Sequence, residues 1–305
     1  MAESIAKREI RRVTKYLERR VPIPWLLIAP AAILLAAVVA LPIVFLIYLS
    51  LTDASLAGSV PSLIGLENFR QNVLFNDRFY NSVVITVTFV VGAVLMQFVL
   101  GFGLALLLWG KKRRRQIFMP ILLAPMFITW IAVGLMFRFI LGAETGIIPH
   151  LLSFVGLGDI PWMSDPTLAL FSIMLADTWE WTPFILVLTL AGLESLPGAP
   201  HEAARTDGAS DLEVFRDVTL PLMKPVIFTA LLIRSIEASK VFPKIIVMTN
   251  GGPGTSTESV SFLIYKTGFT NFNLGPAASQ AVTVTLMILG FVYVTYRMGG
   301  LTDGV

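Results

Sequence analysis

Six long apolar runs, at about 25–49, 80–109, 117–141, 168–192, 226–249 and 277–298, are separated by polar segments. Each reaches the roughly 20 residues that a helix needs to cross a hydrocarbon layer of about 30 Å. The runs lack the one-in-two alternation of a membrane barrel, and only helices satisfy their own backbone groups in lipid. The pattern therefore predicts an all-α polytopic membrane protein with six transmembrane helices. Its parts are a tail over 1–24, a membrane domain over 25–299 and a short tail over 300–305. The first run is longer than a signal-peptide core and is followed by further spans, so it reads as an uncleaved first span.

The polar segments are unequal. Most are short or rich in turn residues, but the one over about 194–225 has helix formers, a Gly break and prolines, including HEAARTDGASDLEVFRDVTLPLMKP from His201 to Pro225. A connection between spans needs only a few residues, so this loop is expected to fold and to dock onto something. Its first helix is predicted around Glu202 to Thr206. Gly208 permits a positive φ, Ser210 or Asp211 caps a second helix reaching about Val218, and Leu220-Pro221 with Pro225 ends that helix and starts the fifth span. The bland alternative is an amphipathic helix pair lying on lipid. Against it, Glu202, Asp207, Asp211, Glu213 and Asp217 outnumber Arg205 and Arg216, a balance that anionic headgroups repel.

Composition agrees with a membrane chain: of 305 residues, 55% are hydrophobic and 14% charged. The net charge of +3 raises the question of nucleic acid, but the basic residues are sorted by loop. Lys7, Arg8, Arg11, Arg12, Lys15, Arg19 and Arg20 lie before the first span, and Lys111 to Arg115 follow the second. Alternating spans put both groups on one side, and the positive-inside rule makes that side, with both termini and the 194–225 loop, cytoplasmic. The charge then needs no nucleic-acid partner. An interfacial helix is expected in the basic tail, ended by Val21-Pro22-Ile23-Pro24.

Candidate chemistry is limited. There is no cysteine, and two histidines, His150 and His201, do not make a histidine metal cluster. The run Gly251-Gly252-Pro253-Gly254 lacks the Lys-Ser/Thr of a P-loop and reads as a turn after the fifth span. No Walker-type motif occurs elsewhere, so no ATP site is expected here. Charges within spans are costly and are functional candidates. Asp177, Glu180, Trp181 and Phe184 follow i, i+3, i+4, i+7 on the fourth span, and Arg234, Glu237 and Val241 share a face of the fifth, with Lys240 and Lys244 alongside. At about 1.5 Å per residue, Asp177 lies roughly 14 Å from the outer end and Glu237 roughly 17 Å from the inner end. The alternative is that these groups merely neutralise one another, as Glu180 with Arg234. Arg138, near the outer end of the third span, is expected to snorkel to the interface.

Glu202-Ala203-Ala204, Asp207-Gly208-Ala209 and Leu220-Pro221 together resemble the EAA loop of permease subunits in binding-protein-dependent ABC importers. Gly65-Leu66-Glu67-Asn68-Phe69, Trp179-Glu180-Trp181-Thr182-Pro183-Phe184 with Ala191-Gly192-Leu193, and Thr249-Asn250-Gly251-Gly252-Pro253-Gly254 are similar to the carbohydrate-uptake, MalF/UgpA-like branch. The resemblance covers nearly the whole chain from about residue 25. It implies the MetI-like type I transmembrane fold and a non-catalytic subunit without a cofactor of its own, ATP and Mg being held by partner ATPase subunits. It implies import of a sugar, polyol or glycerol-phosphate-like solute by alternating access. The partners implied are a second, related permease in a heterodimer, two ATPase subunits and an extracytoplasmic solute-binding protein, in a prokaryotic cytoplasmic membrane. Glu202, Ala203, Ala204, Asp207 and Gly208 would contact the ATPase. Asp177, Glu180, Trp181, Phe184, Arg234, Glu237, Ala238, Lys240 and Val241 would form the solute site. Charged Arg234, Glu237 and Lys240 stand where the maltose permease is neutral, which leaves room for a polar or anionic solute. An ion-coupled secondary transporter is the alternative function, with the same charges as relays. An intramembrane enzyme is weaker, since Asp177 and Glu180 share one helix with no nucleophile or metal motif nearby.

Overall fold

The computed structural model describes residues 23–298 apart from 59 and 145. The basic tail and its expected interfacial helix, and the C-terminal tail, lie outside the described residues. Nine helices among the described residues carry the architecture: α1 Ile23–Ser50, α2 Asp77–Leu108, α3 Lys112–Leu123, α4 Trp130–Ile140, α5 Pro166–Ser195, α6 Gly198–Thr206, α7 Asp211–Ala238, α8 Phe242–Met248 and α9 Leu274–Met298. Among the described residues there is no strand, only two isolated bridges, Thr52 with Leu63 and Ser55 with Asn273.

Local chemistry sets several helix starts. Asp165 accepts from the amides of Thr167 and Leu168, both at 2.9 Å, and Pro166 opens α5 where its missing N–H costs nothing. Asn76 does the same for α2 by accepting from Phe79 N at 3.1 Å. At the outer rim, the buried Asn68 amide donates to Ser50 O and Thr52 O at 3.0 and 2.7 Å, satisfying carbonyls left by the end of α1. Nearby, the Ser62 hydroxyl and N–H bond Asp53 and hold its carboxyl below the usual range.

Helices α2 and α5 form the most extensive helix pair. They meet at Gly101, where a Cβ would stand 2.8 Å from Ile185 Cβ and 2.9 Å from Thr182 O. Around the pair lie two apolar cores. One joins Phe89 and Ala93 of α2, Val133 of α4, Ile173 and Ala176 of α5 and Ile245 of α8. The other joins Ala105 and Leu108 to Leu186, Leu190 and Leu193 of α5 and Met223 of α7. Helix α1 packs mainly on α9 and leaves most of its apolar surface uncovered.

Three features differ from the sequence expectation. The third apolar run is not a straight helix: α3, its 3₁₀ extension to Phe127 and α4 meet at 98° across the extended residues Ile128 and Thr129. Pro120 and Pro125 remove amide donors just before this break. The fifth run is also divided, because α7 stops at Ala238 and α8 restarts at Phe242 with Pro243 in its first turn. Pro243 has no N–H for the Ser239 carbonyl, so the chain turns there instead of continuing. Conversely, Leu220-Pro221 and Pro225 do not separate the loop from the fifth span. They lie inside a continuous helix from Asp211 to Ala238. A π-type wide turn over Val214–Thr219, with Leu220 N bonded to Phe215 O, loosens the i to i−4 ladder where the Pro221 ring must fit.

Candidate functional site

The charged side chains of the fourth and fifth runs converge with one residue from α2. Asp177 Oδ1 accepts from Lys244 Nζ at 2.6 Å, and Oδ2 accepts from Gln97 Nε2 at 2.9 Å and from Arg234 Nη2. Arg234 Nε donates to Gln97 Oε1 at 2.7 Å. Lys244 Nζ also lies 2.5 Å from Glu180 Oε2. All five are buried, Gln97 and Glu180 at 0% and Arg234 at 1% exposure. Two acids face two bases, so the cluster is electrically balanced, as buried ions must be to persist away from water.

An aromatic face lies against this cluster. The Arg234 guanidinium stands over the Trp181 ring at 5.0 Å, and Lys244 Nζ is 5.8 Å from the Trp130 ring. Trp130 meets Trp181 edge-on at 6.3 Å, and Trp181 meets Phe184 at 6.1 Å. Between them is a crevice lined also by Glu237, Lys240, Val241 and Pro243, with about 10 Å³ of free space. That is about the room of a single water.

Asp177, Glu180 and Arg234 are thus brought together, but with Lys244 and Gln97 as their partners. Trp181 lines the crevice, and half-buried Phe184 supports it. Glu237 and Lys240 pair with each other at 2.7 Å on the more accessible side, apart from the buried charges. Ala238 is packed in the first core, while Val241 belongs to that core and also borders the crevice. Because of the break after Ala238, Val241 does not continue the helical face of Arg234 and Glu237. Gln97 and Trp130 are absent from the sequence expectation. The signal for Gln97 is an amide standing deep in an apolar run. Arg138 donates to Val247 O at 2.9 Å and so satisfies a carbonyl of α8 near its C-terminal end.

The 194–225 loop folds as a helix, a turn and the first turns of α7. Gly208 sits at φ +84, and nothing lies within 4 Å of where a Cβ would stand, so conformation and not crowding demands glycine there. Ser210 and Glu213 form a capping box, with Ser210 N donating to Glu213 Oε2 at 2.7 Å. Glu202, Ala203, Asp207 and Gly208 are exposed and Ala204 is half-buried. Leu212, beside the turn, is 75% exposed on this otherwise polar surface, a position that no motif singles out.

This architecture is that of a helical membrane protein whose fourth and fifth spans are joined by a folded polar loop. Residues 97–299 match the family described as "Binding-protein-dependent transport system inner membrane component". The trehalose/maltose transport system permease protein MalF of Thermococcus litoralis is 33% identical over 285 residues, covering 92% of this chain and 95% of that protein. The sulfoquinovosyl glycerol transport system permease protein SmoG of Agrobacterium fabrum is 35% identical over 263 residues, covering 85% and 84%. A bacterial ABC transporter involved in the import of the acidic polysaccharide alginate has a chain that superimposes with a TM-score of 0.76 at 25% identity, covering 94% of this chain and 98% of that one. The chain belongs to the binding-protein-dependent ABC transporter permease family, in its sugar-permease branch.

Proposed function

We propose that the chain is one of two permease subunits of an ATP-driven importer and that it translocates a neutral saccharide or polyol. The observation that carries this reading is the balanced charge cluster beneath an aromatic face. Each buried ion already has an opposite partner, and Glu237 and Lys240 neutralise each other, so the crevice wall formed by the described residues offers no spare charge for an ionic solute. Aromatic faces receive the C–H surfaces of a sugar ring, while the outer pair supplies hydrogen-bond donors and acceptors for hydroxyls. Asp177, Glu180, Phe184, Arg234, Ala238 and Val241 hold the wall in shape, and Trp181, Glu237 and Lys240 offer it to the solute.

Solute sites usually occupy about 300 to 1,000 Å³. A crevice of about 10 Å³ is therefore one wall in a closed arrangement, and a second, related permease completes it. A solute-binding protein delivers the solute, and two ATPase subunits hydrolyse ATP and hold its Mg. Glu202, Ala203, Ala204, Asp207 and Gly208, with Leu212, form the surface for one ATPase subunit. Small alanines allow close approach, and an exposed leucine on a polar loop gains from being covered. Charge sorting supports a cytoplasmic position for this loop and both termini, and the bacterial and archaeal relatives support a prokaryotic membrane.

Reconstitution with the partner subunits and binding protein tests the proposal. ATP-dependent uptake is expected to be competed by neutral saccharides and not by their uronic or phosphorylated forms, and Trp181→Ala should depress uptake while leaving the complex assembled. Uptake driven by a proton or sodium gradient without ATP would refute the importer reading, and competition by anionic forms alone would refute the solute class.

A further inference from the structure

On the loop side of the molecule, a groove of about 640 Å³ lies between the start of α3 and the first turns of α6. Lys111, Lys112 and Arg115 line one wall, and His201 and Arg205 the other, with Glu194 as the single acid among the described residues. Four cations face one carboxylate. Arg115 is held by Glu194, and Arg205 is opposed at 3.5 Å by the highly exposed Asp211. Lys111 and Lys112 are exposed and enter no ion pair among the described residues.

The α6 wall is held in place. Both nitrogens of the His201 ring have partners, Pro197 O and Thr219 Oγ1, each at 3.1 Å, and the ring meets Trp109 edge-on at 6.4 Å. Such a groove differs from the diffuse charge that sorts a loop to one side of a membrane, because sorting requires cations but no cavity. Arg113 and Arg114 supply the contrast: with Lys111 and Lys112 they line a neighbouring, more open recess that has no second wall from α6, and they do not line this groove.

We propose that the groove binds a phosphate-bearing anion, either the headgroup of an anionic lipid or a soluble phosphate compound, and that the anion joins the Lys111 loop to α6. Lysine ammonium groups bind phosphate as point charges, and this groove is lined by the loop-side ends of two spans, at Leu108 and Leu193, the level at which anionic headgroups gather beside a membrane helix. His201 and Arg205 are four residues apart on the groove side of α6, so occupancy leaves exposed Glu202 and Ala203 free. Anion binding in this groove is independent of the solute that the permease carries.

The test measures binding of fluorescent phosphatidylglycerol to the full chain in phosphatidylcholine vesicles. Lys111→Gln with Lys112→Gln should weaken binding by about thirtyfold, whereas Arg113→Gln with Arg114→Gln should change it by less than about threefold. Equal losses from the two pairs overturn the proposal, since diffuse attraction does not distinguish them. A second arm titrates inorganic phosphate onto the chain in neutral detergent. Binding there, abolished by the lysine pair and not by the arginine pair, assigns a soluble phosphate. Lipid binding with no response to phosphate assigns the headgroup, and failure of both arms overturns the proposal. All four residues are exposed, and circular dichroism of both double variants checks that the helices are intact.

Discussion

Arg234 is buried at 1% exposure, and its partners among the described residues are Asp177 and Gln97, with the Trp181 ring beneath its guanidinium. Truncating one member of a buried pair leaves the other uncompensated, so Arg234→Ala should cost about 3–5 kcal/mol, seen as a lower unfolding temperature in detergent. Exchanging both partners, Asp177→Leu with Arg234→Met, should cost less than the sum of the single changes; strict additivity would show that the two ions do not support each other. Gly208 is a different kind of residue, isolated and exposed, with its value in its backbone. A left-handed conformation costs an ordinary side chain about 1–2 kcal/mol and costs asparagine less. Gly208→Leu should therefore abolish solute-stimulated ATP hydrolysis in the assembled transporter, Gly208→Asn should retain much of it, and both should insert normally. Identical behaviour of the two variants would remove the backbone explanation.

At the scale of elements, the spans were legible because apolar runs of membrane length have few other readings, and the buried charges because an ion in such a run stands out. The pairing was less legible. Asp177 reaches Gln97, 80 positions away, and Lys244 joins the cluster only because the chain turns after Ala238. Periodicity extrapolates a helix through that turn and puts Lys244 beside Glu237 instead. Pro221 misled in the opposite direction, since the signal for a stop was absorbed by a wide turn over Val214–Thr219. The result is mechanically important: α7 runs from within the 194–225 loop to Ala238, about 40 Å of helix. Stiffness of that rod is expected to transmit displacement of the loop to Arg234. Introducing Leu222→Gly with Lys224→Gly costs about 1 kcal/mol per site in helix propensity and should lower solute transported per ATP hydrolysed, measured in proteoliposomes, while ATP hydrolysis itself continues. An unchanged ratio would mean that α7 is not the transmitting element.

Across the whole molecule, the ion cluster binds α2, α5, α7 and α8 into one body, and α1 remains at its periphery against α9. The bent third span has a further consequence for this body. Helix α4 begins at Trp130, halfway along an apolar run, and the first amides of a helix have no acceptor within it. Hydrocarbon offers none either, so non-continuous backbone at this depth persists only against protein or a column of water. Trp130 borders the crevice, so the first turn of α4 faces a space with room for about one water. Amides of Ile131 and Ala132 are accordingly expected to exchange with deuterium much faster than those of Phe137 or Phe139 near the other end of the same helix. Slow exchange throughout α4 would place its first turn in a dry environment. The first amides of α4 thus need acceptors from outside their own helix, a need set by two extended residues, Ile128 and Thr129.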